Sequence, residues 1–194
     1  WAEAALAEDW EAVEVVLAAA AHRGDGEMNI ARIIRHLLTG QLAIRRRFPA
    51  TVLTTIEQTI QQSEMNHGGQ ICFVVEAALD TIPLLRGQTA RERAIEVFSQ
   101  LRVWDTEYNN GVLIYLLLAD RDVEIIADRE IHAKVAAEEW ETICHAMESA
   151  FRQQQFEAGT MAGIHAISRH FQAFFPPDSK NRPKNCICLP TFIA

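Results

Sequence analysis

The pattern of apolar positions along the chain predicts three strands. Residues 71–79 and 112–119 are short apolar runs with β-branched and aromatic residues on both faces, which is typical of strands covered by helices on each side. Residues 123–127 alternate weakly after the polar turn 120–122, so we expect them to form an antiparallel hairpin with the second run. A helical segment separates the first two strands, which favours a parallel pair with a right-handed crossover.

Helical spacing accounts for most of the remaining chain. Apolar stripes predict helices over about 49–65 and over 89–101. They also predict two further helices, one with its stripe over 140–151 and one with its stripe over 161–171, the second of which ends at Pro176-Pro177. Thr89 and Glu92 match a capping box at the start of the second helix. We expect that helix to face the sheet with its apolar residues, Ala94, Ile95, Val97, Phe98 and Leu101. The fold class is therefore α/β, with a small mixed sheet between helices.

The first 48 residues differ from the rest of the chain in charge. Residues 1–27 carry seven acidic residues and one arginine, whereas residues 28–48 carry five arginines and no acidic residue. The acidic zone has helical spacing and a glycine-rich turn before Met28, so we interpret it as an N-terminal helical extension. The chain then divides into this extension, the basic segment 28–48, a domain over 49–177 and a C-terminal tail over 178–194.

The basic segment is amphipathic, and two interpretations of it are open. Isoleucines and leucines alternate with arginines from Ile30 to Leu38, and Arg45-Arg46-Arg47 follow. Such a segment either packs its apolar stripe on its own domain with arginines at the edge, or binds an anionic membrane surface or a partner helix through residues 30–48. We favour packing on the domain, because that is the usual role of a single apolar stripe.

Composition and charge exclude several classes of protein. The chain has 194 residues, of which 49% are apolar, and this suits one folded domain with extensions. A formal net charge of −8 argues against a protein that coats nucleic acid. Four cysteines in dissimilar contexts, an acidic start and the lack of a long apolar segment predict a cytoplasmic location. The common signatures of nucleotide binding, serine hydrolases and zinc sites are missing from the sequence.

The loop from Trp104 to Gly111 concentrates side chains that carry oxygen. Asp105 supplies a carboxylate, and Asn109 and Asn110 supply amide carbonyls just before the second strand. Hard cations such as calcium prefer these ligands. A hydrogen-bonded Asn-Gly turn without a ligand would explain the same residues.

The direction of the strands brings this loop to one edge of the predicted sheet. The first two strands begin there and the third ends there, so six polar residues should converge: Glu64, His67, Asp105, Asn109, Asn110 and Asp128. Ligands of open α/β sheets usually bind beside the strand carboxyl ends, at the other edge, which has Asp80, Asp120 and Asp122. We favour the Asp105 edge because it combines charge with amide carbonyls. The turn 120–122 contains its own counter-ion and is typical of a solvated hairpin turn.

Several segments resemble the TPM domain. They are EMNHGGQI over 64–71, residues 94–101, NGVLIYLLLADRDVEI over 110–125, the third strand with Asp128, and a glycine-containing segment over 156–176. The likeness covers about residues 49–177, and the run over 110–125 is its most specific part. WDTEYNNG over 104–111 and DREIH over 128–132 are similar to a bacterial subgroup that lacks a signal and an anchor and starts with a basic segment.

The resemblance implies a three-layer α/β/α sandwich, a surface site for calcium or a related divalent cation, and an acid phosphatase activity. The candidate metal ligands are Asp105, Asn109, Asn110, Asp128 and Glu64. For a phosphatase, His132 or His67 would carry the proton. Glu130 departs from the family, because many relatives have a glycine there, and a side chain could alter the turn beside the metal.

Three functions follow as hypotheses. We favour a cation-binding domain that acts without catalysis, as an interaction or regulatory module with an unidentified protein partner. The first alternative is a metal-dependent acid phosphatase that acts on phosphomonoesters. The second is a peripheral membrane protein that binds an anionic surface through residues 30–48.

Overall fold

A computed structural model describes residues 30–177. Its eight helices are α1 (Ile30–Leu38), α2 (Gln41–Arg47), α3 (Ala50–Glu64), α4 (Thr81–Leu85), α5 (Ala90–Gln100), α6 (Arg129–His132), α7 (Ala137–Arg152) and α8 (Phe156–Phe174). Its three strands are β1 (Gln70–Glu76), β2 (Gly111–Leu117) and β3 (Asp122–Ala127). The proposed extension 1–27 and tail 178–194 lie outside the described residues.

The three strands form one sheet with the predicted pairing. The order is β1-β2-β3. β1 and β2 are parallel, with Gln70 opposite Gly111, and β2 and β3 are antiparallel, with Val112 opposite Ala127. β1 and β2 therefore begin, and β3 ends, at the same edge of the sheet.

Helices cover both faces of the sheet, which confirms the α/β fold class. Alternate strand residues such as Phe73 and Ile114 pack into one apolar core with α2, α3, α7 and α8. Their neighbours, such as Val74 and Tyr115, pack into a second core with α4 and α5. Within residues 30–177, every helix is too short or too polar to cross a membrane.

Helix α5 confirms the capping box and corrects one apolar position. Thr89 Oγ1 accepts a hydrogen bond from Glu92 N at 3.1 Å, and Glu92 Oε2 accepts one from Thr89 N at 2.8 Å. The buried apolar residues of this helix include Ala94, Val97 and Phe98. The expectation that Ile95 faces the sheet is wrong, since Ile95 is 48% exposed. The i, i+3, i+4 stripe that starts at residue 94 leaves position 95 outside the contact.

Helix α1 packs on the domain through its polar side. Arg32 donates from Nε and Nη2 to Asp120 Oδ2, at 3.0 and 2.8 Å, and Arg35 adds a contact of 3.3 Å to Oδ1. His36 is buried: its Nε2 lies 3.0 Å from Asp120 Oδ1, and its Nδ1 accepts a hydrogen bond from Leu79 N at 2.9 Å. The basic segment thus contacts its own domain as expected, but α1 has the reverse orientation, because Arg32 and Arg35 face inward. In α2 the apolar Ile44 is buried and Arg45 and Arg46 are exposed.

The contacts of Arg32, Arg35 and His36 with Asp120, which we call the clamp, contradict the prediction that residues 120–122 form a solvated turn. The Asp120 side chain is only 12% exposed. Burial alone would raise the pKa of Asp120, but hydrogen bonds from His36 and Arg32 outweigh it and hold that pKa well below its usual range. The prediction of a solvated turn is therefore wrong at Asp120, whose charge is balanced by α1.

Asp122, at the start of β3, provides a test of the charge distribution. Burial, reinforced by the nearby charges of Glu124, Glu148 and Asp120, raises the pKa of Asp122 to about 6. The folded protein therefore holds this proton more tightly than the unfolded chain, and the free energy of unfolding should fall as the pH rises from about 4 to about 7. We expect Asp122→Asn to raise the free energy of unfolding by about 1–2 kcal/mol at neutral pH and to change it little below about pH 4. Urea unfolding across this range measures the difference, and parallel pH profiles would contradict the assignment.

Candidate functional site

The strand register and backbone contacts bring the predicted loop and the segment after β3 together. Asp128 N donates to Gly111 O at 2.9 Å, and Glu130 N donates to Asn109 O at 3.1 Å. We call this edge the rim, and define it as residues 104–110 and 128–132. The predicted convergence of Asn109, Asn110 and Asp128 at one edge is confirmed.

The rim loop is shaped by local hydrogen bonds. Asn110 N donates to Thr106 Oγ1 at 2.9 Å, and Asn110 Nδ2 donates to Gly68 O at 2.9 Å. Asn109 has a φ of 49°, in the left-handed region that asparagine tolerates better than most residues. The hydrogen-bonded Asn-Gly turn is therefore present, and it fixes Asn110 between the start of β1 and the start of β2.

Asp128 holds the most unusual polar atom of the rim. The residue is 5% exposed, and its Oδ1 caps α6 by accepting a hydrogen bond from Arg129 N at 2.7 Å. Its Oδ2 is buried and has no hydrogen-bond partner among residues 30–177. A carboxylate oxygen shielded from water requires a cation, a proton or an ordered water to offset the cost of burial.

Asp105 and Asn109 differ in how far they are engaged. Asp105 is exposed, and its carboxylate has no hydrogen-bond or ion-pair partner in the described part of the chain. Asn109 Oδ1 accepts a hydrogen bond from Arg129 Nη2 at 3.1 Å. Because the Arg129 side chain is 84% exposed, this bond can exchange with solvent at small cost. Among the predicted ligands, Asp105 has no partner to lose, whereas Asn109 would have to release the guanidinium of Arg129 before it could bind a cation.

Glu64 lies at the flank of the rim, on the β1 side. Its Oε1 accepts a hydrogen bond from Ile71 N at 3.0 Å. Burial raises the pKa of Glu64 to about 7, against the opposing effect of that hydrogen bond. Strands β1 and β3 are separated by β2, so their backbones are about 10 Å apart. Glu64 is therefore the outermost of the five predicted ligands.

The two candidate histidines have opposite surroundings. His67 is 1% exposed and stacks on Phe171 with ring centroids 4.9 Å apart. Burial lowers the pKa of His67 to about 4, and the backbone of Gly69 offsets this only in part. His132 is exposed on α6, and its backbone N donates to Asp128 O at 2.8 Å. Burial of a neutral imidazole suits packing, so His132 is the histidine that a substrate at the rim could reach.

The composition of the rim restricts which metal it could hold. Within residues 30–177, no three His, Cys, Asp or Glu side chains form a group that could hold a metal ion. A cation at the rim would therefore depend on a mixed set of carboxylate, amide and backbone oxygens completed by water. That set suits calcium and does not suit zinc, which takes nitrogen and sulfur ligands in closed sites.

Glu130 does not distort the rim. It is exposed and lies within α6, and its backbone is not among the described positions with positive φ. A glycine is needed where φ is positive or where another group approaches closely, and neither condition applies to a helical, exposed position. The departure from the family at Glu130 therefore leaves the turn beside Asp128 intact.

Four large apolar side chains are exposed around the rim, and the sequence analysis missed them. They are Met65, Trp104, Tyr108 and Phe174, which are 41–71% exposed. Two of them belong to the rim loop. The other two end α3 and α8, near Gly68, whose N donates to Phe175 O at 2.8 Å. Tryptophan and tyrosine in a polar loop are the signal in the sequence that indicates such a surface.

The other edge of the sheet loses its best candidate ligand. The carboxylate of Asp120 is already paired with side chains of α1. Asp80 is exposed and precedes α4 without a hydrogen bond from its side chain to that helix. Ligands of open α/β sheets usually bind beside the strand carboxyl ends, but among the described residues this edge does not offer two carboxylates that could bind a ligand together.

Comparison with solved structures supports the same fold. The chain is similar to the BA42 protein of the psychrophilic bacterium Bizionia argentinensis, with 27% identity and a TM-score of 0.61 over 70% of this chain and 88% of that one. It also shares its fold with the N-terminal domain of a protein from P. gingivalis, with 16% identity and a TM-score of 0.51 over 62% of this chain and 73% of that one. Both were determined by NMR.

Comparison with family models covers most of the described residues. No curated protein matches the chain at a significant level. The model of the TPM domain matches residues 48–170, which include all three strands, the whole rim and most of the two apolar cores. The chain therefore belongs to the TPM domain family.

Proposed function

We propose that this TPM domain binds a divalent cation of the calcium type at the rim and acts as a non-catalytic interaction module. The observation that supports this most directly is the buried Asp128 Oδ2, which lacks a partner among the described residues. A cation at this oxygen would offset the cost of burying its charge. Asp105 would supply the second carboxylate from the exposed side of the loop.

The remaining ligands would be the neutral amide oxygens of Asn109 and Asn110 and the carboxyl group of Glu64, which is only partly charged near neutral pH because its pKa is about 7. Asn110 lies beside Asp128, because Asp128 N donates to the carbonyl of Gly111, the next residue along the chain. Asn109 would exchange its hydrogen bond from Arg129 for the cation. Glu64 would join through water, with a lower pKa once a cation is near. Calcium takes six to eight oxygens in flexible geometry, so a partly assembled set of this kind suits it.

A protein partner at the rim is favoured by the exposed apolar side chains around it. Met65, Trp104, Tyr108 and Phe174 are residue types that are enriched at protein interfaces. Bound cation would order the loop that carries two of them.

A metal-dependent phosphatase is the second candidate function, and His132 is the observation in its favour. This exposed imidazole lies one helical turn after Asp128, where it could carry a proton for a phosphomonoester bound to the cation. Arg129 could contact phosphate only after leaving Asn109. The buried His67 has no access to substrate.

Calcium titration followed by thermal unfolding tests the proposal. With calcium at about 100 times its dissociation constant, the melting temperature of the full chain should rise by about 5–10 °C. Asp105→Ala should reduce this rise without lowering the melting temperature in EDTA, because the Asp105 carboxylate has no partner to lose. A melting temperature that ignores calcium would contradict the cation site.

A generic phosphomonoester assay on the same samples separates the two functions. We expect no turnover above the blank with calcium or magnesium. Turnover that disappears in both Asp105→Ala and His132→Ala would assign the phosphatase function instead. Turnover that persists in both variants would come from a contaminant.

A further inference from the structure

Exposed aliphatic side chains are concentrated at the end of the sheet opposite the rim. Seven of the twelve large hydrophobic residues that are exposed within residues 30–177 lie there, and they are 37–71% exposed. They are Ile30, Ile34, Leu37 and Leu38 of α1, Leu42 of α2, and Ile82 and Leu85 of α4. We call this surface, together with the arginines beside it, the aliphatic pole.

Hydrogen bonds from α1 place α1 and α4 side by side, and α2 begins three residues after the last residue of α1. His36 accepts from Leu79 N just before α4, and Arg32 Nη2 donates to Gln88 O at 2.7 Å just after it. Both helices therefore lie beside the carboxyl end of β1, and Asp120 lies just after the carboxyl end of β2. The rim is at the other end of β2, which is seven residues or about 20 Å long.

The clamp on Asp120 fixes which side of α1 faces outward. An amphipathic helix usually buries its apolar side, but the polar side of α1 is held here by Arg32, Arg35 and His36. Ile33 is the residue of α1 that packs against the second core. The other apolar side chains are left outside on a helix whose orientation cannot relax without breaking the ion pairs.

Exposed arginines border the aliphatic side chains. Arg45, Arg46 and Arg86 are exposed and form no ion pair among the described residues. Burial, and then the neighbouring charges of Arg121 and Arg46, lower the pKa of Arg47, so guanidiniums are crowded at this end. Asp80, Glu92 and Glu96 are exposed acidic residues near this end, but Glu92 caps α5 and Glu96 accepts hydrogen bonds from Gln88 and Arg93. Asp120 is neutralised by the clamp.

We propose that the aliphatic pole docks on the surface of an anionic lipid bilayer. The leucines and isoleucines would enter the headgroup region, and the arginines would contact lipid phosphates. A bilayer is favoured over a protein, because the surface is aliphatic and basic and lacks the aromatic residues that mark protein interfaces. Docking in this way turns the rim away from the lipid, so a cation and a partner would still have access to it.

Vesicle co-sedimentation of the full chain in EDTA tests the proposal without involving the cation site. The vesicles contain phosphatidylcholine alone or with about 30% phosphatidylserine. Binding should be at least about tenfold stronger to the anionic vesicles and should weaken in about 0.5 M salt. Leu42→Glu should reduce it about tenfold, whereas Met65→Glu should not, although both residues are 71% exposed.

Three outcomes would overturn the proposal. The first is equal or no binding to the two kinds of vesicle at low salt. The second is equal binding by Leu42→Glu and wild type. The third is a concentration-dependent dimer in light scattering that Leu42→Glu dissociates, because a second copy would then cover the pole. Circular dichroism of each variant verifies that the fold is retained.

Discussion

Replacing Gly111 with alanine should prevent folding or lower the free energy of unfolding by at least about 3 kcal/mol. Gly111 begins β2 at the rim, and a Cβ atom there would lie 2.0 Å from Val103 O. The obstacle is a backbone carbonyl, which cannot rotate away like a side chain. Val103 is itself held by its bond to Phe98 O at 3.1 Å, directly after Arg102 with its φ of 52°. The close approach of loop and strand therefore requires glycine.

Gly40→Ala is the matched control, because no atom lies within 4 Å of a Cβ built at Gly40. Gly40 is the N-cap residue of α2 and has a φ of −101°, which alanine adopts without strain. We expect a change of less than about 1 kcal/mol in the free energy of unfolding. Urea denaturation of both variants measures the two effects. Wild-type stability in Gly111→Ala would show that the backbone of Val103 does not lie against the start of β2 as described.

Asp120→Ala should lower the free energy of unfolding by about 3 kcal/mol. The substitution removes the carboxylate that accepts hydrogen bonds from Arg32 Nε and from His36 Nε2–H, and His36 is 4% exposed; Arg32 Nη2 keeps its bond to Gln88 O. Removing one partner of a buried charge network costs more than the network contributes, because the remaining charges stay desolvated. Amide exchange at Leu79, whose N–H donates to His36, should also become faster as α1 detaches.

The pH dependence of the same variant gives a second readout. The pKa of Asp120 is lower in the folded than in the unfolded protein, so the clamp stabilises above about pH 4 and is lost as the pH falls further. Asp120→Ala should remove this acid-sensitive component. Asp80→Ala is the control, since Asp80 is exposed and caps α4 without a side-chain hydrogen bond. Similar losses of stability in both variants would refute the clamp.

The sheet and its helices could be predicted because local patterns specify them. Both apolar runs are buried on two faces, the capping box at Thr89 fixes the start of α5, and chain direction then determines which strand ends meet. The position of the rim follows from the order of the strands and the polar residues that flank them.

Features that depend on distant partners could not be predicted. Arg32 and Asp120 are 88 positions apart, and an amphipathic pattern does not tell which side is buried when the opposing surface is charged. The same limit applies to Glu76, which ends the apolar strand β1 but is buried between Arg93 and Tyr115. Whether a candidate site residue can reach a ligand depends on its exposure to solvent. His67 and Asp128 are buried, and their burial results from packing that no local spacing encodes.

Isothermal titration of calcium into the full chain tests most directly whether the rim binds a cation. Asp128→Asn is the variant to compare, because asparagine retains the cap on α6 while the charge at the buried oxygen is removed. We predict one saturable site in wild type, an affinity at least about tenfold weaker in Asp128→Asn, and an unchanged affinity in the control Asp122→Asn. Absence of binding to wild type at millimolar calcium, or equal affinities for wild type and Asp128→Asn, would contradict the assignment.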